Sequence, residues 1–278
     1  MGSKKFSVTN RLNAGKGQGA GASYTPWLSV NDVPSTGISG KFFGIKTRRH
    51  HHTLSKPEKY CYLQCEFNQN VVDIREQFPL YNTPLILELC QKLNIKVSKQ
   101  KAELDKSRPR IFTTDLLITK NSKGKVWYEA ISVKNKISSL ITKTNRSLQL
   151  QEVERLYWAA HGVAWKLFIP DDLAIINSKN IEFITSPIRK SGHALPNDIK
   201  LAVLKELRAG TFQFSLLSSQ LASQLDLHVQ LVKQAIAEIF FEHLIEVDLS
   251  IDIKRLDLIS VLSINNIRSE NNPYGNIA

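Results

Sequence analysis

The sequence predicts an α/β protein: a mixed sheet flanked by helices over residues 1–170, then a second, mainly helical domain over residues 171–278. Three observations predict it. Up to Pro170, β-branched runs and helical spacing follow one another in the order helix, strand, strand, strand, helix, strand. Beyond it come three consecutive helical stretches and two short apolar runs. Charge divides at the same place. Residues 1–170 hold 27 Lys and Arg against 12 Asp and Glu, a balance of +15, whereas residues 171–278 hold 10 against 13, a balance of −3.

The elements follow in order. Glycine-rich "NAGKGQGAGASYTPWLSV" cannot be a helix interior and reads as a flexible loop or basic arm over residues 13–23. It has no G-K-[ST] ending ahead of a helix, so nucleotide hydrolysis is not indicated. After the basic, histidine-rich "GKFFGIKTRRHHHTLS", the stretch "LSKPEKYCYLQCEFNQN" predicts a helix, with Ser55 as N-cap, Pro57 in the first turn and Glu58 three residues after the serine. "VVDIREQFPL" is a strand ended by Pro79. "TPLILELCQKLNI" suggests a helix and "KVSKQKAELDKSRPR" a basic loop. "IFTTDLLITK" and "KVWYEAISVK" form a hairpin, its turn marked by Asn121 and Gly124. "SLQLQEVERLYWAAHG" is helical, ended by Gly162, and "VAWKLFI" is a buried strand. In the second part, "NDIKLAVLKELRAG", "SLLSSQLASQLDL" and "HVQLVKQAIAEIFFEHL" are helices, with strands in "IEVDLS" and "LDLISVLSI". Three helices and a β-wing are the outline of a winged helix. "RSENNPYGNIA" reads as a loose tail.

Within the hairpin, Asp115 is hard to explain structurally, because aspartate is depleted in strands and costly to bury alone. With Lys120 facing Lys125, Asp115 lies opposite Ala130, and Ser132 and Lys134 share its face. Asp115 and Ser132 are then diagonal neighbours roughly 7–8 Å apart at Cα. The carbonyl of Val133 borders the same place. Glu58 also fits the N3 glutamate of a capping box, and Lys134 alone also fits a solvated strand-end charge.

Asp115 on one strand, Ser132-x-Lys134 near the end of the next in the place of acid-x-lysine, and a preceding helix with Glu58 resemble the nuclease core of type II restriction endonucleases. "GKGQGAGASYTPWLSVNDVPSTG", "HHTLSKPEKY", "VVDIREQFPL", the hairpin and "VERLYW" together resemble the TnsA endonuclease subunit of heteromeric cut-and-paste transposases. The resemblance covers most of the chain up to residue 170. It implies a restriction endonuclease-like fold and a Mg²⁺-dependent endonuclease, with Mn²⁺ able to substitute, that cleaves the 5′ ends of a transposon. The implied partners are double-stranded DNA at the transposon ends, a transposase of the DDE class and an AAA+ ATPase. Carried over residue by residue, it implies catalytic Glu58, Asp115 and Lys134, and metal ligands Glu58, Asp115 and the Val133 carbonyl. Ser132 stands where the family commonly has glutamine, so its place as a ligand is the weakest.

A basic first domain suits a polyanion, since neutralised phosphates release counterions. Lys16, Lys46, Arg48, Arg49, His51 and Arg75 are the candidate DNA contacts. The stretch "HVQLVKQAIAEIFFEHLIEVD" of the second domain carries only Lys233 as a fixed cation against Glu238, Glu242 and Glu246, which favours docking protein over reading DNA. Cys61, Cys65 and Cys90 give an odd count that predicts a reducing compartment, the cytoplasm. Zinc at Cys61 and Cys65 is the weaker reading, because cysteines at i and i+4 on an amphipathic helix more often pack. No stretch is long and apolar enough for a membrane span, and the first residues lack the apolar segment of a secretory signal. Two other functions stay open at this stage: a nuclease acting alone, and a non-catalytic adaptor on a nuclease fold.

Overall fold

A computed structural model of the chain describes residues 8–32, 39–96, 111–136 and 144–265. The expected basic loop lies largely outside the described residues, as does the loose tail. The chain divides into two units, Met1–Ser178 and Lys179–Ala278, so the boundary falls a little beyond Pro170. It lies inside a helix, α5 (Asp172–Ser191), that the sequence reading did not contain. Pro187 and the polar run from Asn177 to Asn180 hid its periodicity.

In the first unit, a short helix α1 (Val8–Asn13) precedes a two-stranded hairpin of β1 (Gly40–Phe43) and β2 (His50–Thr53). Helix α2 (Lys56–Phe67) follows. Then β3 (Val71–Pro79), β4 (Thr113–Ser122), β5 (Lys125–Val133) and β6 (Ala164–Phe168) form one sheet in that order. β3, β4 and β5 are antiparallel, and β6 runs parallel to β5 because α4 (Thr144–Ala160) carries the chain across the sheet between them. This is the mixed sheet the sequence predicts. Helix α3 (Thr83–Lys92) and α4 supply Ile86, Leu89, Val153, Tyr157 and Trp158 to a core that includes Leu117 and Ala130 from the sheet.

The hairpin register differs from expectation by two residues. Ser122 pairs with Lys125 and Leu117 with Ala130, so the turn is the dipeptide Lys123–Gly124. Both residues have positive φ, 50° and 82°, the conformation whose twist matches the flanking strands. A slip of two keeps every side chain on its face, so Asp115 and Ser132 remain neighbours.

The glycine-rich segment is not a loose arm. Tyr24 and Trp27 are buried, and the Trp27 N–H donates to the Gln77 carbonyl at 3.3 Å. The Tyr24 hydroxyl donates to the Glu76 carbonyl at 3.0 Å. The segment thus covers the edge of β3 that would otherwise be unpaired. Gly17 is required there: at φ +76° an added Cβ would meet the Tyr81 hydroxyl at 2.3 Å and Pro79 Cγ at 2.4 Å.

"RRHHH", read as a basic stretch with candidate DNA contacts, contributes β2 and an internal ion pair. Arg49 Nη1 and Nη2 donate to the two Glu76 oxygens at 2.8 and 2.5 Å. His51 Nδ1 lies 2.8 Å from Glu76 Oε2, and its Nε2 lies 2.5 Å from Thr47 Oγ1. Burial alone would push the Glu76 carboxyl up, but the Arg49 bonds and His51 hold it at about 2. Burial likewise lowers the His51 pKa. This network fixes β2 on β3.

In the second unit, α6 (Asn197–Glu206), β7 (Gly210–Gln213), α7 (Phe214–Gln224) and α8 (Val229–Phe241) precede β8 (Ile245–Val247), the short α9 (Ile253–Leu256) and β9 (Leu258–Ile264). The sheet order is β7-β9-β8. Strand β7 is an addition to the sequence reading: four residues are too few to show alternation, and its partner β9 is distant in sequence. Glu238, expected on the surface of α8, is buried and accepts from Leu195 N and Gln234 Nε2, each at 2.9 Å.

Breaking a buried pair leaves an uncompensated charge, so Arg49→Ala is expected to destabilise the chain by about 3–5 kcal/mol in urea unfolding. The salt dependence of DNA binding by the folded variant should match wild type. Unchanged stability with a shallower salt slope would put Arg49 back on a DNA surface.

Candidate active site

Asp115 lies where the alternation of β4 fails. Leu117 shares a core with Val153, Tyr157 and Trp158 of α4. Thr114, three positions earlier, reaches the same helix: its hydroxyl donates to Glu154 Oε1 at 2.9 Å and accepts from Trp158 Nε1 at 2.6 Å. Strict period-two spacing would put the two residues on opposite faces. The cause stands across the ladder. Gln77 has φ +49°, and the paired residues of β3 and β4 pass from Glu76 and Leu116 to Phe78 and Thr114 without Gln77 and Asp115. A left-handed non-glycine residue costs of order 1–3 kcal/mol. The contacts that hold it there are the Trp27 bond to its carbonyl, the Tyr24 and Arg49 bonds to Glu76, and those of its own side chain.

That side chain is buried. Thr113 Oγ1 donates to Gln77 Oε1 at 3.1 Å, which turns the amide nitrogen toward two carboxylates, Glu58 Oε2 at 3.4 Å and Asp115 Oδ1 at 3.3 Å. Glu58 is brought there by the start of α2. The Ser55 hydroxyl accepts from Glu58 N at 3.3 Å and donates to Glu58 Oε1 at 2.9 Å, and Leu54 N donates to Oε2 at 2.8 Å. The cap and the cluster therefore share one side chain. Burial and then the Asp115 charge push Glu58 up to about 7. Burial raises Asp115 as well, against the Lys134 charge, the Val133 N–H at 2.7 Å and bonds from Gln77 and Ser132.

A cleft of about 130 Å³ opens beside Asp115, lined among others by Thr113, Ser132, Lys134, Gln151 and Glu154. Lys134 Nζ donates to the Val133 carbonyl at 3.2 Å. Glu154 is buried at the cleft wall, and burial together with Asp115 pushes it up to about 7 despite the Thr114 bond. The structure thus gathers Glu58, Asp115, Ser132, Val133 and Lys134, and adds Gln77 and Glu154, which sequence reasoning missed. Glu154 did leave a signal: it falls four residues after Leu150 and four before Trp158, a carboxylate on the apolar stripe of its helix. Gln77 left none, because the strand pattern assumes unbroken alternation.

The candidate DNA contacts fare differently. Arg49 and His51 are buried against Glu76 and are corrected to structural residues. Lys46 donates to the carbonyls of Asn68 and Val71 at 2.5 and 2.6 Å, and burial lowers its pKa to about 8. Arg75 lies over the Phe78 and Tyr128 rings and bonds Thr119 Oγ1. Lys16 is half-buried. Arg48 alone of the six is exposed, over the Phe43 ring.

Glu58, Asp115 and the Val133 carbonyl are hard oxygen donors, suited to Mg²⁺. Two adjacent carboxyls raised in pKa by burial form the setting that a divalent cation relieves, so the residues fit the ion. Among the described residues, no three His, Cys, Asp or Glu side chains are placed to hold a metal between them. An ion at Asp115 would therefore use two carboxylates, a backbone carbonyl and water. Cys61 and Cys65 line a separate hollow with Glu129 and Lys166.

Residues 68–169 match the family model described as TnsA-like endonuclease N terminal. The chain is also 33% identical over 182 residues to the transposon Tn7 transposition protein TnsA of Escherichia coli, an alignment that covers 66% of this chain and 63% of that protein's length. The family segment contains Gln77, Asp115, Ser132, Val133, Lys134 and Glu154; Glu58 precedes it. Residues 68–169 are thus similar to the TnsA-like endonuclease N-terminal domain, the family that the hairpin and its flanking motifs resemble.

Proposed function

We propose that the chain is a divalent-cation-dependent DNA endonuclease that cuts the 5′ ends of a transposon during cut-and-paste transposition. One observation carries this reading: Asp115 accepts from Val133 N–H, shares the Gln77 amide with Glu58, and opens on a cleft that contains Lys134. A structural aspartate needs none of that company. The similarity to the endonuclease family and to a transposon transposition protein supports the DNA substrate and the transposition setting.

Glu58, Asp115 and the Val133 carbonyl would hold Mg²⁺ or Mn²⁺, with the Ser132 hydroxyl, which bonds Asp115, the weakest candidate ligand. Such an ion supplies a more acidic water and charge stabilisation at the scissile phosphate. Lys134, held by the Val133 carbonyl, orients the attacking water and offsets negative charge on the phosphate. Glu154, pushed up to about 7 and so partly protonated near neutral pH, faces the cleft with less repulsion toward Asp115 than an ordinary glutamate would bring.

The proposed partners are double-stranded DNA at the transposon ends, a DDE transposase that cuts and joins the 3′ ends, and an AAA+ ATPase that regulates both. The second unit fits a winged helix, with β7 between its first two helices and β8 and β9 after the third. On α8, Lys233 is the lone Lys or Arg, and Glu242 is paired with Lys200 at 2.7 Å. This unit docks protein.

Asp115→Ala and Lys134→Ala should each lower 5′-end cutting by at least about a hundredfold in the assembled transposase, with complex assembly retained. Cutting at wild-type rate by either variant contradicts the site. A second prediction concerns pH. Folding raises Glu154 from 4.5 to about 7, so the unfolded chain loses this proton first and stability drains away as pH climbs through that interval. Glu154→Gln should therefore match wild type at pH 4 and exceed it at pH 8 by on the order of 3 kcal/mol in urea unfolding. A variant no more stable than wild type at pH 8 would show Glu154 to be ionised comfortably.

A further inference from the structure

Gln77 combines three features that packing alone does not require of a glutamine. It adopts φ +49° within a strand, its side chain is buried, and its amide makes three hydrogen bonds that are all to the candidate site or its rim. Glutamine gains nothing locally at a left-handed position, where Gly, Asn and Asp are the residues of choice. Its advantage is reach. From the kinked backbone, Nε2 meets both carboxylates and Oε1 accepts from the Thr113 hydroxyl, whereas the flipped amide would place an acceptor against the two carboxylates.

We infer that Gln77 is a positioning residue for the cation: its amide clamps the Glu58 and Asp115 carboxyls side by side, in the orientation that a divalent ion takes up. The inference rests on the two-carboxylate ion site proposed above. Glu58 enters from a helix and Asp115 from a strand, and no direct hydrogen bond joins them among the described residues. Gln77 is the group that bonds both. One N–H to each carboxylate also offsets part of their repulsion. Partners that orient metal ligands typically change ion affinity by about 10–100-fold when removed.

The backbone and amide roles separate cleanly by substitution. Gln77→Gly accepts the positive φ without strain and deletes the amide. Gln77→Asn also tolerates that conformation but is one methylene short of the carboxylates. The test is calorimetric titration of the full chain with CaCl₂ at fixed pH, alongside thermal unfolding and DNA binding in EDTA. Both variants should unfold within a few degrees of wild type and bind DNA equally in EDTA, yet bind Ca²⁺ about tenfold or more weakly. Wild-type Ca²⁺ affinity in Gln77→Gly would overturn the clamp while leaving the ion site intact. Failure of both variants to fold would also overturn it, since Gln77 would then be a scaffold residue. Absence of Ca²⁺ binding by the wild-type chain would overturn the ion site itself.

Discussion

The constraint on which the first unit turns is electrostatic: two carboxyls, buried Glu58 and half-buried Asp115, are held close together. Each raises the energy of charging the other, and burial raises it further. Such a pair persists only where the surrounding structure over-determines it. Here α2 delivers Glu58 through its own cap, the Val133 N–H and Lys134 receive Asp115, and Gln77 ties the two together from a strained backbone. The strain is supported in turn by the Arg49–Glu76–His51 network on one side of Gln77 and by Tyr24 and Trp27 over the edge of β3. Segments far apart in the sequence, the glycine-rich stretch and the histidine-rich strand, thus act on the two carboxyls through Gln77 and its neighbour Glu76.

Much of this was legible in the sequence. Period two in "IFTTDLLITK" and "KVWYEAISVK" located the hairpin, and Ser55 with Glu58 located the start of α2. Asp115 stood out because a strand gives aspartate no structural use. The register was wrong by two residues, since the pattern does not reveal that Lys123 takes a positive φ, but an even error keeps Asp115 and Ser132 together. What alternation could not disclose was its own failure at Gln77. That break depends on contacts from Trp27 to Gln77 and from Tyr24 and Arg49 to Glu76 that become local only after folding. Glu154 was visible in principle as an acid on an apolar stripe, where helical periodicity was read for hydrophobic residues alone.

Composition proved a poor guide to which cations face a ligand. The +15 balance of residues 1–170 points to a polyanion, but Arg49, Lys46 and Arg75 are engaged with Glu76, with backbone carbonyls and with aromatic rings. Arginine next to histidine on a short strand pairs inward as readily as outward, and what decides it is the buried Glu76 opposite. A surplus of charge licenses a statement about the field of the unit. It does not assign individual contacts.

The central claim is that Asp115, Glu58 and the Val133 carbonyl hold a divalent ion. It is tested most directly by a crystal structure of the full chain grown with MnCl₂, using manganese anomalous scattering. The account predicts an anomalous peak about 2–2.5 Å from oxygens of Asp115, Glu58 and the Val133 carbonyl. A fully occupied manganese elsewhere, with the Asp115 and Glu58 carboxyls still bridged by Gln77 and no peak between them, would contradict it.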